Sequence, residues 1–190
     1  MNRWQITAAV CLIASSLPAA TVVESERTLP LVQDVDVVVC GGSCAAVAAA
    51  EAAAGAGAKV FLATSYGALG EDVAGTLRLW ADEGEVPSSE LMRAMFSGAA
   101  TAQGKVYSTP LAVKQALDRA LLQAGVTFLT GSYVTDVLTD GKGQIAGVMM
   151  ANRSGRQAVR AKVVIDATDR AALARAAGAQ VAPFPAGEYL

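Results

Sequence analysis

Histidine is absent from all 190 residues. Its absence removes histidine general bases, Ser-His-Asp triads and imidazole metal ligands from this chain. Cysteine is scarce. Of three, Cys11 lies in an apolar N-terminal stretch, which leaves Cys40 and Cys44, too few for a four-cysteine zinc site. Both sit where small side chains are wanted and read as packing residues; in an exported protein the competing reading is a single disulfide between them. Charge of either sign is thin: fifteen basic and seventeen acidic residues give a net charge of −2 with no basic block, so nucleic acid is not an expected partner. The apolar stretch from Ile6 to Leu17 is too short for a stable bilayer anchor, so no membrane span is expected.

What that stretch does have is the layout of a secretory signal over residues 1–20. Asn2-Arg3 supplies a short positive start, the apolar run follows, and Leu17-Pro18-Ala19-Ala20 offers small residues for cleavage. The competing reading is a disordered, mildly apolar N-terminus. No twin arginine is present, so a Sec-type route out of the cytoplasm, to the periplasm or the medium, is the expectation. Residues 21–34 are largely polar and read as a linker, residues 35–180 as one domain with room for a real core, and residues 181–190 as an unstructured end.

The domain is organised around residues 35–63. Val35, Val37, Val38 and Val39 form an apolar run broken only by Asp36, which is expected at the strand entrance. The turn Cys40-Gly41-Gly42-Ser43 follows, then an alanine-rich stretch from Ala45 to Ala54, then Val60, Phe61 and Leu62. A strand apolar on both faces belongs in a parallel sheet covered by helices, and alanine lets a helix approach that sheet closely. Strand, turn, helix, strand is the simplest reading. Its turn opens at the carboxyl edge of the sheet, where free amides and the helix dipole favour a phosphate.

Gly67, Gly70 and Gly75 mark a loop packed against a ligand or neighbour, and Ala81 to Pro87 an acidic loop. One helix is predicted from Pro87 to about Ala102, with Leu91, Met95 and Ala99 on one face. Another starts at Ser108-Thr109-Pro110, with a stripe of Leu111, Val113, Ala116, Leu117, Ala120 and Leu121, and a short strand runs from Val126 to Leu129. Three strand-like runs, Tyr133 to Thr139, Ile145 to Ala151 and Gln157 to Ala161, are joined by short turns and predict an antiparallel meander. A separate apolar strand, Val163 to Ile165, then returns to the parallel sheet, followed by a helix from about Asp169 to Ala177.

These residues resemble the N-terminal part of the FAD-dependent oxidoreductases of the glutathione-reductase-like superfamily, within them the group whose opening reads GGGxAG and which later carries a Gly-Gly-Met-Ala segment. The match runs over about residues 34–180: Val37 to Ala46 for the strand and turn, Tyr66 to Ala74 for the loop, the meander in its place, and Ala167-Thr168-Asp169 for the returning ATG strand. The resemblance implies an α/β fold, a Rossmann-like parallel sheet with an antiparallel three-stranded β-meander crossover, forming an incomplete FAD-binding domain. It implies FAD as cofactor and a small organic molecule as substrate. It also places the amides of Gly41, Gly42, Ser43 and Cys44, with Ala45 behind them, at the diphosphate and Thr64 and Ser65 by the ribose. Leu69 and Gly70 fall in the covering loop, Val134 at the adenine, and Ala167 and Thr168 over the cofactor. No catalytic acid, base or nucleophile is named by the match, and no metal ligand.

The departures carry expectations of their own. Ser43 at the second fingerprint glycine would crowd or shift the diphosphate. Thr64 stands where the family's acidic ribose ligand ends the second strand, a loss of about 1.5 to 3 kcal/mol of charge-assisted hydrogen bonding. Gly70-Glu71 replaces two glycines and brings a carboxylate toward the diphosphate, and Asp169 replaces the glycine of the ATG turn. The family continues beyond this length into a substrate domain, so a fragment or truncated relative is expected, completed by a C-terminal half or a partner chain. Two other readings stay open: a non-catalytic remnant of this fold that binds no cofactor, and an NAD(P)-dependent dehydrogenase of ordinary Rossmann type, against which the meander argues.

Overall fold

In the computed structural model, residues 22, 24, 26–82, 89–98 and 100–182 are described. The signal segment 1–20, residues 83–88 of the acidic loop and the predicted helix start, Ala99, and residues 183–190 lie outside the described residues.

A six-stranded sheet carries the fold. Strand β1 (Leu31–Cys40) is its centre, flanked on one side by β2 (Val60–Ala63) and β6 (Thr127–Leu129) and on the other by β9 (Gly155–Asp166), all parallel to it. Beyond β9 the sheet turns antiparallel through β8 (Ile145–Asn152) and β7 (Tyr133–Thr139). The meander therefore serves as the crossover between the edge strand β6 and β9, where an ordinary Rossmann fold would supply helices. Among the described residues no helix is long and apolar enough to cross a membrane.

Side-chain alternation along the strands divides the core in two. Val37, Val39, Val60 and Leu62 point to one face, where they meet Ala46, Val47 and Ala50 of helix α1 (Cys44–Gly55) and Val113, Leu117 and Leu121 of helix α3 (Pro110–Gln123). Val38, Cys40, Phe61 and Ala63 point to the other, against Val148, Met150 and Val159 of the curled meander and Leu173 of helix α4 (Ala172–Ala176). Cys40 and Cys44 belong to opposite faces. Both are free, and Cys44 Sγ lies 3.6 Å from Met95 Sδ.

Helix starts follow the residues that can cap them. Thr109 Oγ1 accepts from Ala112 N ahead of Pro110, which fills a first-turn position needing no amide. Leu111, predicted in the buried stripe, is 64% exposed, because the stripe begins only at Val113.

Other predicted boundaries move for physical reasons. Strand β1 begins at Leu31, inside the expected linker, because a partner runs beside it: Leu31 pairs with Ala158 and Gln33 with Val159. The third meander run and the returning strand are one twelve-residue strand, β9, since Lys162 interrupts the apolar pattern without supplying a turn. Asp36 lies mid-strand and takes Lys59 N and Lys162 Nζ as donors at 2.9 and 2.6 Å, which hold its carboxyl below the usual range, Lys162 first. The helix predicted to Ala102 is the short α2 (Glu90–Met95). Gly98, at φ 72°, lies beyond its end, ahead of β4 (Ala100–Ala102), which joins β5 (Lys105–Tyr107) and β3 (Trp80–Asp82) in a small antiparallel sheet. So Ala81 and Asp82, read as loop, are strand. The last helix starts three residues later than expected, after Ala171 in a left-handed conformation.

Candidate cofactor site

The carboxyl ends of β1, β2 and β9 converge on one edge, and the chain there is packed too closely for side chains. Gly41 has φ 134°, and a Cβ on it would stand 2.2 Å from Ala167 O. Gly41 N donates to Ala63 O at 2.9 Å and Ala167 N to Cys40 O at 2.8 Å, so the turn is stitched to both neighbouring strands. Only glycine fits this position. At Gly42 a Cβ would come within 2.6 Å of both Thr64 Oγ1 and Glu71 Oε2.

Ser43 was expected to crowd the approach to the turn. Its hydroxyl instead turns back to cap α1, accepting from Ala46 N at 3.1 Å. Two other amides of the turn are taken by carboxylates from the loop after β2. Gly42 N donates to Glu71 Oε1 at 2.9 Å, and Cys44 N to Asp72 Oδ1 and Oδ2 at 3.0 and 3.1 Å. The loop is held in that position by its own backbone. Gly70, left-handed at φ 83°, donates its N–H to Gly42 O at 2.7 Å, and its carbonyl collects the amides of Val73, Ala74 and Gly75, which winds residues 71–75 into a single π-helical turn. Single π turns recur at functional sites.

Glu71 Oε2 is buried with no hydrogen-bond partner. Burial pushes the Glu71 carboxyl above its usual range, against the lowering pull of the Gly42 amide, and the neighbouring carboxylates Asp72 and Asp169 push the same way. Burial, then the nearby carboxylates of Asp72 and Asp166 respectively, pushes the thiols of Cys44 and Cys40 up to about 12, so neither is a thiolate at neutral pH.

Beside the turn opens a cleft of about 240 Å³. Its floor is Gly41, Ala63 and Thr64. One wall is Ser65, Tyr66 and Glu71; the other comes from the start of β7 at Ser132, Tyr133 and Val134, and from the segment after β9 at Thr168, Asp169 and Arg170. Asp166 shapes that last segment. Burial works against its ionisation, yet the donors Ala174 N and Thr168 N and Oγ1 outweigh it and hold the carboxyl below its usual range. Tyr66 Oη reaches to 3.5 Å of Asp169 Oδ2 across the mouth, and that carboxylate raises the phenol's pKa.

Of the residues predicted for the site, Gly41, Thr64, Ser65, Val134 and Thr168 therefore line one cleft. Thr64 is almost wholly buried, its Oγ1 accepting from Tyr66 N at 3.3 Å. Gly42, Ser43 and Cys44 form the turn at the cleft's end, and Ala45 is exposed on the first turn of α1. Ala167 packs on Gly41 as backbone. Leu69 is in the core, and Gly70 acts through its amide and carbonyl. Tyr66, Ser132, Tyr133 and Arg170 line the cleft without having been predicted, and no motif in the sequence marks them. Among the described residues no group of three or more acidic or cysteine side chains is arranged to hold a metal ion.

The model of the family described as FAD dependent oxidoreductase matches residues 36–183. Solved structures share the fold at low identity. A THI4 protein of Thermovibrio ammonificans aligns over 75% of this chain and 61% of its own, at 18% identity and a TM-score of 0.57. A geranylgeranyl bacteriochlorophyll reductase-like protein of Thermoplasma acidophilum aligns over 77% and 42%, at 20% identity and 0.58. The myxobacterial chondrochloren halogenase CndH, a variant of FAD-dependent halogenases, aligns over 76% and 39%, at 20% identity and 0.56. The chain thus spans between 39% and 61% of the length of these structures. No curated protein matches its sequence.

Proposed function

The chain belongs to the FAD dependent oxidoreductase family, whose cofactor is FAD, and from that premise we propose that it is the FAD-binding portion of an oxidoreductase acting on a small organic molecule. The observation that carries the reading is the meeting of the Gly41-to-Cys44 turn with a cleft lined by Thr64, Ser65, Val134 and Thr168 at the carboxyl edge of a parallel sheet.

The residues fit the two halves of the cofactor differently. The cleft suits an adenosine: Ser65 offers a hydroxyl to a ribose beside Thr168, whose own hydroxyl is donated to Asp166, the backbone at Val134 would meet the adenine, and Arg170 brings a positive charge to a lining that also holds the carboxylates of Glu71 and Asp169. The diphosphate half does not fit as the 71–75 turn stands, since Glu71 and Asp72 hold the amides of Gly42 and Cys44. When bound, FAD would supply hydride or electron transfer. The chain's own contribution in this reading is to bind and orient; no described side chain is assigned a proton or a nucleophilic role. Export through a Sec-type signal at residues 1–20 belongs to the same proposal on the sequence alone, and a mature form beginning at about Thr21 checks it.

A second reading, a non-catalytic remnant that binds no cofactor, is favoured by the same carboxylate contacts. Titration of the purified chain with FAD, read by flavin fluorescence and by melting temperature, separates the two. Saturable binding competed by ADP supports the enzyme reading. No binding of FAD, ADP or adenosine at millimolar concentration refutes it.

A further inference from the structure

We propose that Glu71 and Asp72 stand in for the cofactor's diphosphate, so that the chain holds its own dinucleotide site closed and FAD enters only when the 71–75 turn gives up the amides of Gly42 and Cys44. The inference rests on the FAD-binding reading given above and adds to it a device built into the loop.

The amides at the start of a helix favour negative charge and are where a diphosphate would be held. Here two carboxylates bring a charge of the same order as a diphosphate to the same donors, at 2.9 to 3.1 Å. They are not held by loose side chains. Leu69 is buried before the turn and Ala74 within it, and the left-handed Gly70 ties the turn's start to Gly42 O. The contact is also imperfect in a telling way. Asp72 uses both oxygens on one amide, whereas Glu71 uses one and leaves Oε2 buried without a donor. A buried carboxylate oxygen without a partner is unfavourable, so the closed arrangement stores part of the free energy needed to open it. Asp169, across the cleft, adds like charge. An entering diphosphate would meet Glu71 and Asp72 on the turn's amides and Asp169 across the cleft, whose described lining residues include one cation, Arg170.

Two double variants test this in the full chain: Glu71→Ala with Asp72→Ala, which clears the niche, and Glu71→Gln with Asp72→Asn, which removes only the charge. Affinities for FAD, ADP and adenosine are measured by calorimetry alongside the unsubstituted chain. The expected result is at least a tenfold gain for FAD and ADP in the alanine pair, with adenosine unchanged because it carries no phosphate. FAD affinity equal in all three proteins overturns the closed-site proposal while leaving the FAD reading intact. Failure of every protein to bind FAD, ADP or adenosine overturns both. If the alanine pair loses its far-UV spectrum, the amide pair decides: tighter FAD and ADP binding supports the proposal, and unchanged binding overturns it.

Discussion

Gly41→Ala is the sharpest structural perturbation available at the site. The backbone there has φ 134°, a region that costs an L-residue about 1 to 3 kcal/mol. The new Cβ would also lie 2.2 Å from Ala167 O, and to reach the 3.0 Å below which real contacts essentially never fall, the two backbones must part by about 0.8 Å. That movement strains the bonds Gly41 N to Ala63 O and Ala167 N to Cys40 O, each contributing about 0.5 to 1.5 kcal/mol. The expected loss is about 2 to 6 kcal/mol, a large part of the 5 to 15 kcal/mol typical of a domain. Urea unfolding followed by far-UV circular dichroism reads it as a midpoint lowered by about 1 M or more. Gly57→Ala is the control. Gly57 is also left-handed, at φ 88°, but nothing lies within 4 Å of its missing Cβ, so it costs only the conformational strain of about 1 to 2 kcal/mol. If Gly41→Ala destabilises no more than Gly57→Ala, the close packing of the turn against Ala167, just after β9, is refuted.

The Glu71 carboxyl, raised by burial and by Asp72 and Asp169, binds its proton more tightly folded than unfolded. Stability from this group is therefore lost as pH rises from the unfolded value of about 4.5 through the folded one, the reverse of the usual paired carboxylate. Glu71→Gln should raise the melting temperature at neutral pH, because it removes the negative charge that burial, Asp72 and Asp169 disfavour. That advantage should vanish below about pH 4.5, and a gain independent of pH would contradict it. Cys40 and Cys44, with thiols pushed to about 12 by burial first, should resist alkylation at about pH 8 in the folded chain and react in guanidinium chloride. Peptide mapping that found either one modified while the fold persists would contradict the burial of Cys40 and the packing of Cys44 against Met95.

The parts of the fold written in long runs were legible. Val37, Val38 and Val39 announced a strand buried on both faces, and Thr109-Pro110 announced the start of α3, because burial and capping act through neighbouring residues. The small sheet of β3, β4 and β5 was not, because its strands are three residues long and mostly exposed, so no alternation can develop. Strand β9 does not read as one element because Lys162 breaks its apolar pattern, and its ammonium extends to Asp36 on the neighbouring strand. At the site, Gly70-Glu71 in place of two glycines predicted a carboxylate near the diphosphate, and Glu71 does sit on Gly42 N. The role of Asp72 was invisible, since its contact with Cys44 N depends on the π turn and no sequence period marks such a turn. Crowding by Ser43 was predicted from side-chain size alone, and a hydroxyl that caps its own helix escapes that prediction.

The central claim, that the amides between β1 and α1 are the seat of a dinucleotide's phosphates, is tested most directly by an amide-resolved NMR titration of the ¹⁵N-labelled chain with ADP. The amide resonances of Gly42, Ser43 and Cys44 should move together and saturate, accompanied by those of Glu71 and Asp72 as the turn releases its hold. Saturable shifts confined to other parts of the chain, with these five unmoved, would contradict it.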